Sequence, residues 1–261
     1  MKYYVVDAFA DSLFKGNPAG VCLLDKEIPD DTMQSIAYEN NLAETAFLIK
    51  NNGANNLRWF TPEMEMDLCG HATLAAAFIV LNYIDPALNE VSFKTQSGIL
   101  TVYRADKGIY TMDFPSRMPE PVETPPLLEE ALGCKILETH KSRDLVAVTD
   151  CENTVKNLKP NIELIKKISP DLAFAVIVTA AGDTCDFVSR FFAPNAGIIE
   201  DPVTGSAHST LIPFWSRRLG RGVMTARQLS ARGGTLYCRD EQERVKIGGT
   251  AVCYLQGELM L

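Results

Sequence analysis

The sequence predicts an α+β protein of two pseudo-symmetric domains. Each is expected to be a strongly curved, mostly antiparallel, barrel-like β-sheet wrapped around a central buried α-helix. Three observations carry this prediction: a set of motifs that recurs in order, many short strand-like runs, and one helical run with no polar face.

The recurrence is direct. Arg58-Trp59-Phe60-Thr61-Pro62 returns as Arg190-Phe191-Phe192-Ala193-Pro194. Asp67-Leu68-Cys69-Gly70-His71-Ala72-Thr73 is followed by Asp201-Pro202-Val203-Thr204-Gly205-Ser206-Ala207-His208 in the second half. Ser97-Gly98-Ile99-Leu100 meets Gly233-Gly234-Thr235-Leu236. The spacings between the paired copies drift only slightly, which is the mark of an internal duplication.

The elements follow in order. The first half reads as strand 19–24, helix 30–39, strands 44–50 and 56–61, helix 70–83, and strands 91–94, 98–104 and 108–114. The second half reads as strand 144–149, helix 160–167, strands 174–180 and 185–192, helix 205–218, and strands 227–231, 234–239 and 244–248. Strands are predicted from short β-branched and aromatic runs bounded by Gly, Asn, Asp and Pro. Helix 30–39 has Asp30 or Asp31 as its cap, with Met33, Ile36 and Ala37 at helical spacing. The run Ala72–Leu81 is apolar on all sides except Thr73. A helix apolar all round is buried all round, and a curved sheet is its natural container. Residues 118–130 hold four prolines and read as the linker. The domains are therefore expected at 1–116 and 117–250, with the last strand, within 251–261, possible as an addition to the first.

Composition bounds the function. The chain has 261 residues, 46% hydrophobic and 22% charged, with a formal charge of −8 and no Lys/Arg-rich run. This excludes disorder and argues against a nucleic-acid partner. No apolar run approaches a membrane span. Seven cysteines without a CxxC pair read as reduced thiols of a cytoplasmic protein. Three histidines and the absence of ligand spacing among the cysteines leave no metal site expected.

Ligand sites favour the cleft between two similar domains. The starts of the two central helices, Gly70-His71 and Gly205-Ser206, would offer free backbone N–H groups and positive dipole ends there. Together they would hold a small anion, most simply a carboxylate. His71 is the polar contact expected in the first helix, with a neutral ring. Asp201, held extended by Pro202, is placed to accept a hydrogen bond from a substrate amine or hydroxyl. Asp67 reads equally as a turn or cap residue. Cys69 reads as a small lining residue, because the second copy has no cysteine. Glu44, at the entry to an apolar strand, reads from position alone as a solvated edge residue. Its nearest repeat partner would be Asp171, which adds nothing.

The residues also resemble a known family, the PhzF-like phenazine biosynthesis isomerases, whose fold is diaminopimelate epimerase-like. The resemblance runs nearly end to end. It rests on VDAFADSLFKGNPAGVCLL, ENNLAETAFL, LRWFTPEMEMDLCGHATLAAAF, RFFAPNAGIIEDPVTGSAHSTL and the closing Gly-Gly strand pair. It implies a cofactor-independent isomerase that moves a proton by general acid/base catalysis, with Glu44 as the acid/base. It implies that Gly70, His71, Asp201, Gly205 and Ser206 bind a small carboxylate substrate, and that the protein is a homodimer. The family often has serine before the glutamate; Ala43 stands there in this chain. Two rival readings remain open: a small-molecule binding or regulatory protein without catalysis, and a one-cysteine epimerase or racemase using Cys69.

Overall fold

Short strands make up most of the chain and fall into two compact units. In the computed structural model, residues 1–51, 54–168 and 172–261 are described. Asp171 lies outside the described residues. Residues 1–113 with 247–261 form one compact unit, and residues 114–246 form another.

The first unit contains β1 (Lys2–Ala8), β2 (Asn17–Leu24), α1 (Asp30–Asn40), β3 (Glu44–Asn51), β4 (Ala54–Phe60), β5 (Glu65–Met66), α2 (Gly70–Ile79), β6 (Glu90–Thr95), β7 (Gly98–Arg104) and the start of β8 (Tyr110–Pro115). The second contains β9 (Glu120–Pro121), α3 (Leu128–Leu132), β10 (Glu138–Lys141), β11 (Leu145–Val148), α4 (Glu152–Asn157), α5 (Ile162–Ile168), β12 (Val176–Ala181), β13 (Phe187–Ala193), β14 (Ile198–Asp201), α6 (Gly205–Leu219), β15 (Val223–Gln228) and β16 (Gly234–Glu241). The chain returns through β17 (Arg244–Gly249) to β18 (Ala251–Glu258) in the first unit.

In the first unit β18 pairs with β1 and β1 with β2, both antiparallel. From β2 onward the order is β2-β3-β4-β6-β7, alternately parallel and antiparallel. In the second unit β10 pairs antiparallel with β11. The order then runs β11-β12-β13-β15-β16 with the same alternation. The two units thus share one pairing scheme.

Helix α2 touches β1, β2, β3, β7 and β18. Those strands span nearly the whole sheet order, so the sheet curves around the helix. Eight of its ten residues are buried, as its all-round apolar sequence predicts. The α-helix stops at Ile79, and Val80–Ile84 continue as a π turn closed by the Asp85 N–H on the Val80 carbonyl. Helix α6 packs on β15 and β16. Its Trp215 indole N–H donates to Thr179 on β12 at 3.0 Å, and its ring stacks on Phe187 of β13. Pro213 lies inside α6 and has no N–H for the Ser209 carbonyl. The Arg117 backbone N–H takes that carbonyl instead, at 2.9 Å.

The recurring Arg motif has a structural purpose in each unit. Arg58 on β4 forms a two-pronged bond to Glu65 on β5, with its guanidinium over Phe60. Arg190 on β13 does the same to Glu200 on β14, over Phe192. Both pairs fasten the hairpin that leads into the central helix. Paired, two-pronged Arg–carboxylate bonds are the strong kind.

Several elements were missed or displaced by sequence pattern. The strand expected at 227–231 lies at Val223–Gln228, because Ser230 closes a turn by accepting the Gly233 N–H. Strand β1, helix α4 and strand β10 were not expected. β1 is buried along almost its whole length, so its sequence lacks the period-two signal of a half-exposed strand.

Candidate active site at the start of the first central helix

Glu44 sits between two helices for a simple reason of alternation. Phe47 and Ile49 of β3 pack with Met33, Ile36 and Ala37 of α1. Residues of opposite parity, Glu44, Ala46 and Leu48, therefore face α2. Helix α1 ends on Asn41 in the left-handed conformation, and β3 begins three residues later. The strand is flanked by β2 and β4, so it is internal. The solvated-edge reading of Glu44 fails on this point: the residue is 7% exposed.

The same alternation places Asn17. Cys22 and Leu24 of β2 join the α1 cluster, which turns Asn17 toward α2. Gly16, just before it, has φ +64° and lies against the Ala8 carbonyl, where a Cβ would collide. Asn17 is fully buried and lies 3.2 Å from His71 Nδ1. Sequence reasoning passed over this residue as part of a longer motif. Its signal was the Lys-Gly-Asn-Pro turn at the mouth of an apolar strand.

His71 is the second residue of α2 and is 5% exposed. Its Nε2 lies 3.1 Å from Glu44 Oε2. The contact has the distance of an ion pair without the alignment of a hydrogen bond. Cys69, the cap residue, brings its sulphur to 3.6 Å from His71 Nδ1. Thus Glu44, Cys69 and His71 form one buried cluster.

Its electrostatics are set by neighbours. Burial alone pulls the His71 pKa down; the Cys69 sulphur and the Glu44 carboxylate push it up and prevail, leaving it well above the ordinary 6.5. Burial raises the Cys69 pKa, and the Glu44 charge raises it further. The Cys69 sulphur and the Glu44 carboxylate thus both act on His71, the sulphur the more strongly. The neutral ring expected for His71 allowed for the helix start but not for this carboxylate. When the Asn17 amide N–H donates to Nδ1, the imidazole proton sits on Nε2, facing Glu44. Protonation of both ring nitrogens requires Asn17 to present its oxygen instead.

The first turn of α2 has no side-chain cap among the described residues. Asp67 does not cap it: the residue is exposed, and its carbonyl accepts the Ser97 hydroxyl. The backbone donors of Gly70 and His71 thus have no side-chain acceptor there.

The second unit places its candidates differently. Asp201 ends β14, is 9% exposed, and accepts the Thr204 hydroxyl at 2.5 Å. Thr204 precedes α6, which also lacks a side-chain cap among the described residues. Gln228 ties this corner together, accepting the Thr204 N–H and donating to the Asp201 carbonyl. Gly205 is buried, and Ser206 is half-buried with its hydroxyl 3.2 Å from Arg143. Arg143 was not expected; it is fastened to buried Asp144 and lies over Phe174.

Fold and cluster together define an α+β protein with a buried carboxylate–imidazole–thiol centre at a helix start. A family described as phenazine biosynthesis-like protein matches residues 6–257. An uncharacterised isomerase of Pseudomonas aeruginosa is 48% identical over 258 residues, covering 99% of this chain and 98% of that protein. The crystal structure of a PhzF-family phenazine biosynthesis protein from Enterococcus faecalis has a TM-score of 0.96 at 50% identity, covering 100% and 99% of the two chains. A probable proline racemase from Agrobacterium radiobacter shares the fold at 10% identity, with a TM-score of 0.63 over 100% of this chain and 93% of that one. The chain belongs to the phenazine biosynthesis-like PhzF family and is an isomerase of that kind, acting on a small molecule. Among the described residues no helix is long and apolar enough to cross a membrane.

Proposed function

We propose that this isomerase moves a proton within a small carboxylate substrate, with Glu44 as the acid/base and no cofactor. The observation that carries the reading is a buried carboxylate beside an imidazole at an uncapped helix start. Glu44 takes a proton from a carbon next to an unsaturated system and becomes a carboxylic acid. The electron pair left behind delocalises toward the far end of that system. The acid then returns the proton there, so the enzyme ends unchanged. His71 Nε2 stands at ion-pair distance from the Glu44 carboxylate and steadies its charge. The backbone N–H groups of Gly70 and His71 bind the substrate carboxylate.

Asp201, Gly205 and Ser206 are proposed as further substrate-binding residues. The shared strand order and the paired Arg–Glu fasteners support an internal duplication, in which α6 starts where α2 does. A homodimer is proposed from the family resemblance. The one-cysteine racemase reading is disfavoured by the raised Cys69 pKa, because a thiol is a poor base.

The test is proton exchange in heavy water. A panel of small unsaturated carboxylates is incubated with the enzyme, and deuterium uptake is read by mass spectrometry. Wild type should label at least one member of the panel. Glu44→Gln should cut that labelling at least about a hundredfold, with ligand binding retained. Equal labelling by the Gln variant would remove Glu44 from the role.

A further inference from the structure

The cluster that holds Glu44 also has the composition of a metal site. Glu44, Cys69 and His71 can each offer one donor atom, and those atoms lie within 4.8 Å of one another. All three residues are buried. The donors are a carboxylate oxygen, a sulphur and an imidazole nitrogen, which is the mixed set preferred by zinc and similar borderline ions. Glu44 Oε2 and His71 Nε2 are buried without an aligned hydrogen-bond partner among the described residues. A cation would satisfy both.

The distances are close to what such an ion needs. Around a tetrahedral zinc, donor atoms stand about 3.3–3.7 Å apart, given metal–ligand bonds of about 2.0–2.3 Å. One ion takes one ring nitrogen: through Nε2, His71 stands 3.1 Å from Glu44 Oε2, while the Cys69 sulphur, now 3.6 Å from Nδ1, has to come round to the Nε2 side. The three donor atoms lie within 4.8 Å of one another, so drawing them to that spacing takes a movement of about 1 Å. Three protein donors leave one position open for water.

We propose that Glu44, Cys69 and His71 form a binding site for a thiophilic divalent cation of the zinc class, which occupies the acid/base carboxylate and silences the enzyme. The inhibition, though not the binding, rests on Glu44 being the acid/base. Binding balances simply. The Cys69 S–H bond breaks, the thiolate forms a bond to the ion, and the proton leaves to water. A proton on the metal-binding imidazole nitrogen leaves likewise. Affinity should therefore fall about tenfold or more for each pH unit lowered.

The probe is cobalt(II), added to the reduced, chelator-stripped full chain. The expected result is one cobalt per chain, with a near-ultraviolet thiolate-to-cobalt absorption band that zinc(II) displaces. Cys69→Ser should abolish the band, and Cys134→Ser should leave it intact. Glu44→Gln and His71→Gln should each weaken cobalt binding at least tenfold, with folding checked by circular dichroism. Absence of a band in wild type overturns the site. So does an undiminished band in Cys69→Ser, or wild-type affinity in folded Glu44→Gln. The two claims separate cleanly: a zinc-saturated enzyme that still exchanges deuterium keeps the metal site but rejects Glu44 as the acid/base.

Discussion

The two central helices begin alike and titrate oppositely. Each starts at a glycine, lacks a side-chain cap among the described residues, and carries a buried histidine in its first turns. His71 has a carboxylate 3.1 Å away and a pKa raised well above 6.5. Among the described residues His208 has no such partner. It is fully buried, its Nδ1–H donates to the Thr204 carbonyl at 2.8 Å, and burial drives its pKa down to about 4. One helix start therefore holds its histidine beside a buried carboxylate, and the other holds a neutral, packed histidine. The two units share one strand-pairing scheme, and what separates their helix starts is the company of the histidine: Cys69 and a carboxylate from β3 beside His71, packing alone around His208.

The comparison can be broken in several ways, the largest first. Glu44→Gln should make the first start resemble the second, with proton exchange lost as described. Asp201→Asn should weaken exchange by about tenfold, chiefly through substrate binding, because it removes one acceptor and leaves the proton carrier in place. A loss as large as that of Glu44→Gln would show that Asp201 does chemistry. Steady-state rates on the labelled substrate decide this.

Acid stability is the next contrast. Between pH 6.5 and about 4 the unfolded chain binds a proton at His208 that the folded chain refuses. Stability should be full above pH 6.5 and fall through that window by roughly 3 kcal/mol. His208→Gln should flatten this fall in urea unfolding curves. His71 contributes with the opposite sign. Its raised pKa stabilises the fold fully below pH 6.5, and that contribution fades as pH rises through the folded value. The smallest expected effect is at Thr204→Val, which loses the hydroxyl bond to Asp201 and should cost about 1 kcal/mol.

Much of this was legible in the chain, and the exceptions share a physical cause. The all-round apolar run after Gly70 announced a buried helix, and the twin Arg motifs announced two units of similar plan. Glu44 was not legible from position. An internal strand covered on both faces looks, in one dimension, like an edge strand with an acidic end; the resemblance to a family singled it out. Asn17 was missed as a neighbour of His71, because contact between β2 and α2 depends on how strand and helix pack and leaves no local pattern. His71 was placed correctly at the helix start, yet its charge depends on Glu44, twenty-seven positions away in the sequence.

The pairing of carboxylate and imidazole is tested most directly by nitrogen-15 NMR of the histidine rings across pH. His71 in wild type should titrate above 6.5, and Glu44→Gln should lower its pKa below that value, toward the behaviour of His208. A wild-type His71 that titrates below 6.5, or one indifferent to Glu44→Gln, would contradict the assignment.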